Sequence, residues 1–251
     1  MVFLASGCGT NNSVGAVGAA DQSPIPAVTP GENKSTSAIG EPVESSWPDT
    51  TAPGEPETDG AKTPEPENAP PTAPPADDEL VRVLDYIPSV YVELKYATED
   101  NFTGTVVYDF ADAYLRYGTV RKLTGVQAEL LAQGYSLKIW DAYRPVGAQF
   151  KLWEICPDPV YVANPNNGYS SHSRGNTVDV TLVLADGTEI EMPTGFDDFS
   201  ALADRDYSDV PAGAAENALI LENLMKDYGF NCYSGEWWHY SDSSSYPVVQ
   251  N

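Results

Sequence analysis

Ser170-Ser171-His172-Ser173-Arg174-Gly175-Asn176-Thr177-Val178-Asp179-Val180-Thr181-Leu182 is the stretch on which the reading of this chain turns. Its second half alternates. Val178, Val180 and Leu182 fall on one face of an extended strand, and Thr177, Asp179 and Thr181 on the other. Asp179 therefore stands on a polar face, where a ligand is needed. His172 lies seven residues earlier, in the polar loop before the strand, and is one of only two histidines in the chain. The other, His239, sits in Gly235-Glu236-Trp237-Trp238-His239-Tyr240. Two histidines and a carboxylate form the donor set of a catalytic zinc, which keeps a further position open for water. Glu236, three residues before His239, is placed to act as general base for a metal-activated water if it is not itself a ligand. Set against this, a single histidine is more often structural than ligating. It is the pairing of both histidines with acidic neighbours that favours a metal site.

Outward from this stretch, the spacing predicts a strand at 91–96 and a short helix or turn at 111–115. A helix over 121–133 is predicted with Thr124 as an alternative N-cap and Gly134 after its end. Residues 135–141 alternate as a strand, and 146–155 read as a helix. A loop rich in Pro and Asn runs from 156 to 168. Asp186-Gly187 signals a hairpin with a return over 189–192. A long loop follows from 194 to 215, then a helix over 216–228 and a final strand pair within 230–240. Strands and helices mix without regular βαβ alternation. The expected class is therefore α+β, a central antiparallel sheet with flanking helices.

Composition divides the chain. Residues 1–79 hold 13 of the 21 prolines, 13 acidic residues, two lysines, and only Phe3 and Trp47 as aromatics. Such a segment cannot bury enough apolar surface to offset its ordering entropy, and it is expected to be a disordered linker over 9–79. Leu4-Ala5-Ser6-Gly7-Cys8 resembles a bacterial lipobox, so 1–8 reads as a truncated lipoprotein signal with Cys8 as the lipidated residue. The departure is upstream, where no basic segment precedes Cys8. The expected location is extracytoplasmic, with the membrane engaged only through that anchor. Residues 80–251 form one domain. The net charge of −24 is spread over both parts and excludes a nucleic-acid footprint. In an exported protein, Cys156 and Cys232 are a disulfide candidate, with two free thiols as the alternative.

The stretch from Ser170 to Leu182 resembles the zinc motif of the M15 peptidoglycan peptidases, most closely D-alanyl-D-alanine dipeptidases of the vancomycin-resistance type. Four more stretches agree in the family's order: Lys95 to Gly104, Trp140-Asp141-Ala142-Tyr143-Arg144-Pro145, Phe196-Asp197, and Glu236 to Tyr240. The resemblance implies a hedgehog/D,D-peptidase-like fold and one zinc ion per chain held by His172, Asp179 and His239. It implies Glu236 as the base that also passes the proton to the leaving amine, and Arg144 as the group stabilising the oxyanion. Ser170, Tyr96 and Asp197 match positions that hold the free ammonium end of a small D,D-dipeptide. Simpler roles stand beside these. Arg144 pairs with Asp141, Tyr96 is a core aromatic, Ser170 caps a turn, and Asp197 caps a helix. Arg174 and Gly175 read as structural, and Trp237 and Trp238 as wall and core. Two other functions share the ligand set: a carboxypeptidase acting on stem peptides, and a hedgehog-like zinc-binding module without peptidase activity.

Overall fold

The computed structural model describes residues 73–249. Cys8, the lipobox and most of the proposed linker lie outside the described residues. In chain order the elements are β1 (Leu80–Arg82), β2 (Tyr91–Val92), β3 (Tyr114–Arg116), α1 (Tyr117–Ala132), β4 (Tyr135–Asp141), α2 (Val146–Ile155), β5 (Thr177–Leu184), α3 (Ala212–Asp227), β6 (Phe230–Cys232) and β7 (His239–Asp242). The main sheet has the order β2-β4-β5-β7-β6, and β1 pairs with β3 separately.

The class is α+β as expected, but the sheet is mixed. Its edge strand β2 runs parallel to β4, with Tyr91 opposite Lys138 and Val92 opposite Ile139. The strand expected over 91–96 stops after two residues. Asn101 explains the break, because its amide donates to the carbonyls of Lys95, Thr98 and Thr105 and gathers that chain into a loop. The segment at 111–115 forms no helix, and Tyr114–Arg116 pairs with β1 as a strand.

Helix α1 begins four residues before its expected start. No side chain caps it. The amides of Tyr117 and Gly118 instead donate to the carbonyls of Glu79 and Asp77, so neighbouring backbone satisfies donors that a cap residue usually takes. Thr124 bonds back to the carbonyl of Val120, as a residue inside a helix does, and is no cap. The same contacts place residues 77–79, assigned to the linker by composition, against the folded domain. Arg121 pairs with Asp77, and Arg116 bonds the Asp78 carbonyl.

Strands β4 and β5 form the centre. On β5, Val178, Val180 and Leu182 are at most 1% exposed, and the polar face is buried as well. The turn at Asp186-Gly187 is present, with Gly187 in the left-handed region at φ 89°. Its return makes only one bridge, Val183 to Glu189.

Candidate active site

Register builds the site. Asp179 in β5 lies opposite Asp141 on β4 and opposite His239 on β7. The β4 register shifts between Ile139 and Asp141, so Trp140 occupies an irregularity. Such an extra residue turns the next side chain toward a new position, and here it aligns Asp141 with Asp179. His172 comes from a 3₁₀ turn, Ser171–Arg174, immediately before β5. Ser170 caps that turn, its hydroxyl accepting from the His172 amide at 3.3 Å. Gly175 ends it at φ 73°, a conformation that costs glycine little.

The ligand atoms of His172, Asp179 and His239 lie within 4.8 Å of one another. His172 Nδ1 donates to the Ala142 carbonyl at 2.8 Å. This fixes the tautomer and leaves Nε2 free, 3.3 Å from Asp179 Oδ2. His239 Nδ1 lies 3.0 Å from Asp179 Oδ1, yet that buried oxygen has no hydrogen-bond partner. A buried carboxylate oxygen left orphaned beside two imidazole nitrogens is costly by itself. It fits a divalent cation shared by all three, and the nitrogen and oxygen donors suit zinc. Burial acts to raise the Asp179 carboxyl. The neighbouring His172, and after it His239, outweigh it and hold the carboxyl well below the usual carboxylate range.

Glu236 lies beside this set, its Oε2 3.5 Å from His239 Nδ1. Burial and the charge of Asp179 push its carboxyl upward, against the pull of His239, His172 and Arg144. A raised carboxylate is a better proton acceptor near neutral pH. Trp237 and Trp238, between Glu236 and His239 in sequence, are fully buried, and the Trp237 indole donates to Thr194 Oγ1 at 2.9 Å.

Arg144 pairs with Asp141, as the simpler reading expects. Its Nη2 and Nε bond Asp141 Oδ2 at 2.6 and 3.1 Å, and Nη1 bonds Gln149 Oε1 at 3.0 Å. Its guanidinium also borders the cleft that holds the metal ligands, 5.0 Å from the Tyr96 ring centroid. Asp141 is fully buried, and it further accepts from Tyr108 Oη at 2.7 Å and from the Ala142 amide at 2.9 Å. Asp141, Tyr108 and Gln149 thus support the site, and only Asp141 carried a sequence signal, as the neighbour of Arg144.

Tyr96 Oη donates to Asp197 Oδ2 at 2.7 Å, joining two residues 101 apart. Tyr96 is buried, edge-on to Tyr108 and Phe196, yet it also lines the cleft. Asp197 does not cap a helix. It sits in a turn at φ 54°, the single described non-glycine residue in that region. Burial pushes its carboxyl up to about 8, against the Tyr96 hydrogen bond and with help from the charge of Asp179. Ser170 lines the same cleft of about 330 Å³. The structure therefore brings together Tyr96, Arg144, Ser170, His172, Asp179, Asp197, Glu236 and His239.

The disulfide is not formed, and Cys156 and Cys232 are both free thiols. A bridge requires Cα atoms within about 7 Å. Cys156 ends α2, whereas Cys232 sits in edge strand β6, paired with Tyr240.

The raised Asp197 carboxyl has a consequence for stability. In metal-free protein between about pH 4 and pH 8, the folded state keeps a proton that the unfolded chain releases. Stability falls as pH rises through that window, by at most about 1.4 kcal/mol per pH unit. Asp197→Asn lacks this loss, so the variant gains on wild type between pH 5 and pH 8 in urea titrations. A difference that stays flat across the window contradicts the assignment.

Several known proteins are similar to this chain. A D-alanyl-D-alanine dipeptidase of Escherichia coli (strain K12) is 38% identical over 173 residues, covering 68% of this chain and 89% of its own length. One from Enterococcus faecium is 33% identical over 176 residues, covering 62% of this chain and 87% of itself. One from Streptomyces coelicolor is 34% identical over 185 residues, covering 62% and 88%. The profile of the M15 peptidase family described as D-ala-D-ala dipeptidase matches residues 76–250, and this chain belongs to that family of metallopeptidases.

Proposed function

We propose that this chain hydrolyses D-Ala-D-Ala or a similar small D,D-dipeptide with a free amino end, using one zinc ion per chain. The observation that carries the reading is the orphaned Asp179 oxygen between His172 and His239, with Glu236 alongside. A zinc ion held by those three ligands supplies a Lewis acid that polarises a carbonyl and lowers the pKa of a water. Glu236 accepts a proton from the attacking water and delivers it to the leaving amine. The Arg144 guanidinium donates to the carbonyl oxygen as negative charge develops there, a contribution that is large because the cation is already in place. Asp197 and Tyr96 receive the substrate ammonium, and Ser170 lines the same cleft.

An ammonium pocket distinguishes a dipeptidase from a carboxypeptidase, which acts on chains with blocked amino ends. With zinc present, D-Ala-D-Ala is expected to be hydrolysed about 10²-fold more efficiently than its N-acetyl derivative. That factor corresponds to the ~2–5 kcal/mol cost of leaving one partner of a buried charge pair unmatched. Equal or faster hydrolysis of the acetylated form overturns the dipeptidase reading in favour of a carboxypeptidase.

The proposed location is outside the cytoplasmic membrane, anchored by lipid at Cys8. The lipobox-like residues 4–8 and the proline-rich acidic segment after them support it. Among the described residues no helix is long and apolar enough to cross a membrane. An enzyme in that place acts on dipeptides released from the wall or taken from the surroundings. Fatty-acid labelling that depends on Cys8 is the expected result, and unprocessed native protein in the cytosol overturns it.

A further inference from the structure

Arg205 was invisible to motif reasoning, yet its guanidinium holds the segment that carries both Glu236 and His239. Nη2 donates to the carbonyls of Glu236 and His239, each at 3.0 Å, and Nε donates to the carbonyl of Tyr233 at 2.8 Å. Nη1 meets Glu222 Oε2 at 2.8 Å, with the hydroxyls of Tyr240 and Tyr207 at 3.2 and 3.3 Å. The guanidinium carbon lies 4.6 Å from the Tyr240 ring centroid. Glu222 belongs to α3, so the clamp ties the loop between β6 and β7 to a helix.

The loop's own hydrogen bonds are long. Tyr233 N to His239 O is 3.4 Å, Glu236 N to Tyr233 O is 3.4 Å, and His239 N to Glu236 O is 3.3 Å. The arginine bonds to the same three carbonyls are shorter, and charge-assisted hydrogen bonds are stronger than neutral ones. One nitrogen bonding the carbonyls of both residues fixes their spacing. Arg205 is half-buried among these partners and hydrogen-bonds neither the metal ligand atoms nor the base carboxylate, so it acts through the backbone.

We propose that Arg205 is a positioning residue that sets the separation and orientation of the base Glu236 and the ligand His239, with Glu222 as its anchor. The proposal rests on the zinc-site reading of His239. Lysine is a revealing replacement. It keeps the charge but has three donors on a point-like ammonium, and it cannot span three carbonyls and a carboxylate at once. Outer partners of metal ligands cost 10–100-fold in metal affinity or activity when lost.

Arg205→Lys in the full chain is therefore expected to weaken zinc binding at least tenfold in competition with a chromophoric chelator. It should also lower kcat on D-Ala-D-Ala at least tenfold, with KM changed by less than about threefold because Tyr96 and Asp197 are untouched. A folded Arg205→Lys protein with zinc affinity and kcat within twofold of wild type overturns the proposal. Should that variant fail to fold, Glu222→Gln decides, since it keeps the guanidinium and removes the charge that anchors it, together with the ion pair to Lys226 on the helix surface. A threefold or greater loss of zinc affinity is then expected, and unchanged affinity overturns the proposal. If wild type does not cleave the dipeptide, the substrate assignment fails while the chelator competition still tests Arg205.

Discussion

Glu236→Gln is expected to lower kcat about 10³-fold, within the ~10²–10⁴ range of a positioned general base, while zinc content stays at the wild-type level. The substitution keeps size and shape but removes the group that accepts a proton. Glu236 is not needed to complete the ligand set, because His172, Asp179 and His239 already converge without it. Its carboxylate, 3.5 Å from His239 Nδ1, is raised by burial and by the Asp179 charge, the environment that suits a base. Zinc analysis and single-turnover kinetics on the same preparation check the two halves separately. A variant that binds zinc and retains more than a tenth of wild-type kcat removes Glu236 from the chemistry, whereas zinc binding without cleavage by either protein favours the zinc-binding-module reading.

The second large effect falls on Arg144. Arg144→Lys is expected to lower kcat by ~10²–10³, the scale of losing one donor aimed at developing negative charge. A lysine ammonium can pair with Asp141 but cannot hold Gln149 and face the cleft at the same time. Arg144→Ala adds a cost in stability. Asp141 is fully buried, and taking away its cation leaves an uncompensated charge, typically worth ~3–5 kcal/mol. The Tyr108 hydroxyl and the Ala142 amide still donate to it, which points to the lower end of that range. Denaturant midpoints separate the effects. Loss of activity without loss of stability in Arg144→Lys marks the catalytic part, and an Arg144→Ala protein as stable as wild type contradicts the structural part.

The cluster of His172, Asp179 and His239, with Glu236 beside it, was legible because chain order already spells it, with Asp179 on the polar face of an alternating strand and two rare histidines beside carboxylates. Strands β4 and β5 and helix α2 were equally plain, since their apolar periods are long and unbroken. Short elements were not. β2 keeps only two residues of a longer alternating run, and β3 is three residues long, so neither the parallel edge nor the β1–β3 pair was foreseen. Helix starts were missed for a different reason. α1 is capped by backbone from residues 77–79, and α3 begins after Pro211 with Ala212 to Ala215, small residues that carry no apolar stripe. Arg205 left no trace because three of its acceptors are main-chain carbonyls, which any residue presents. The disulfide failed because cysteine count carries no information on distance.

Asp179 and His239 face each other on one rung of the β5–β7 ladder, in the interior of the sheet. They are the last pair of that ladder, next to the loop that Arg205 holds, whereas Val178 beside Asp179 is wholly buried. Local opening starts in weakly held segments, so fraying of that loop reaches His239 before it reaches Asp179. Catalysis is therefore expected to be lost before the sheet itself unfolds.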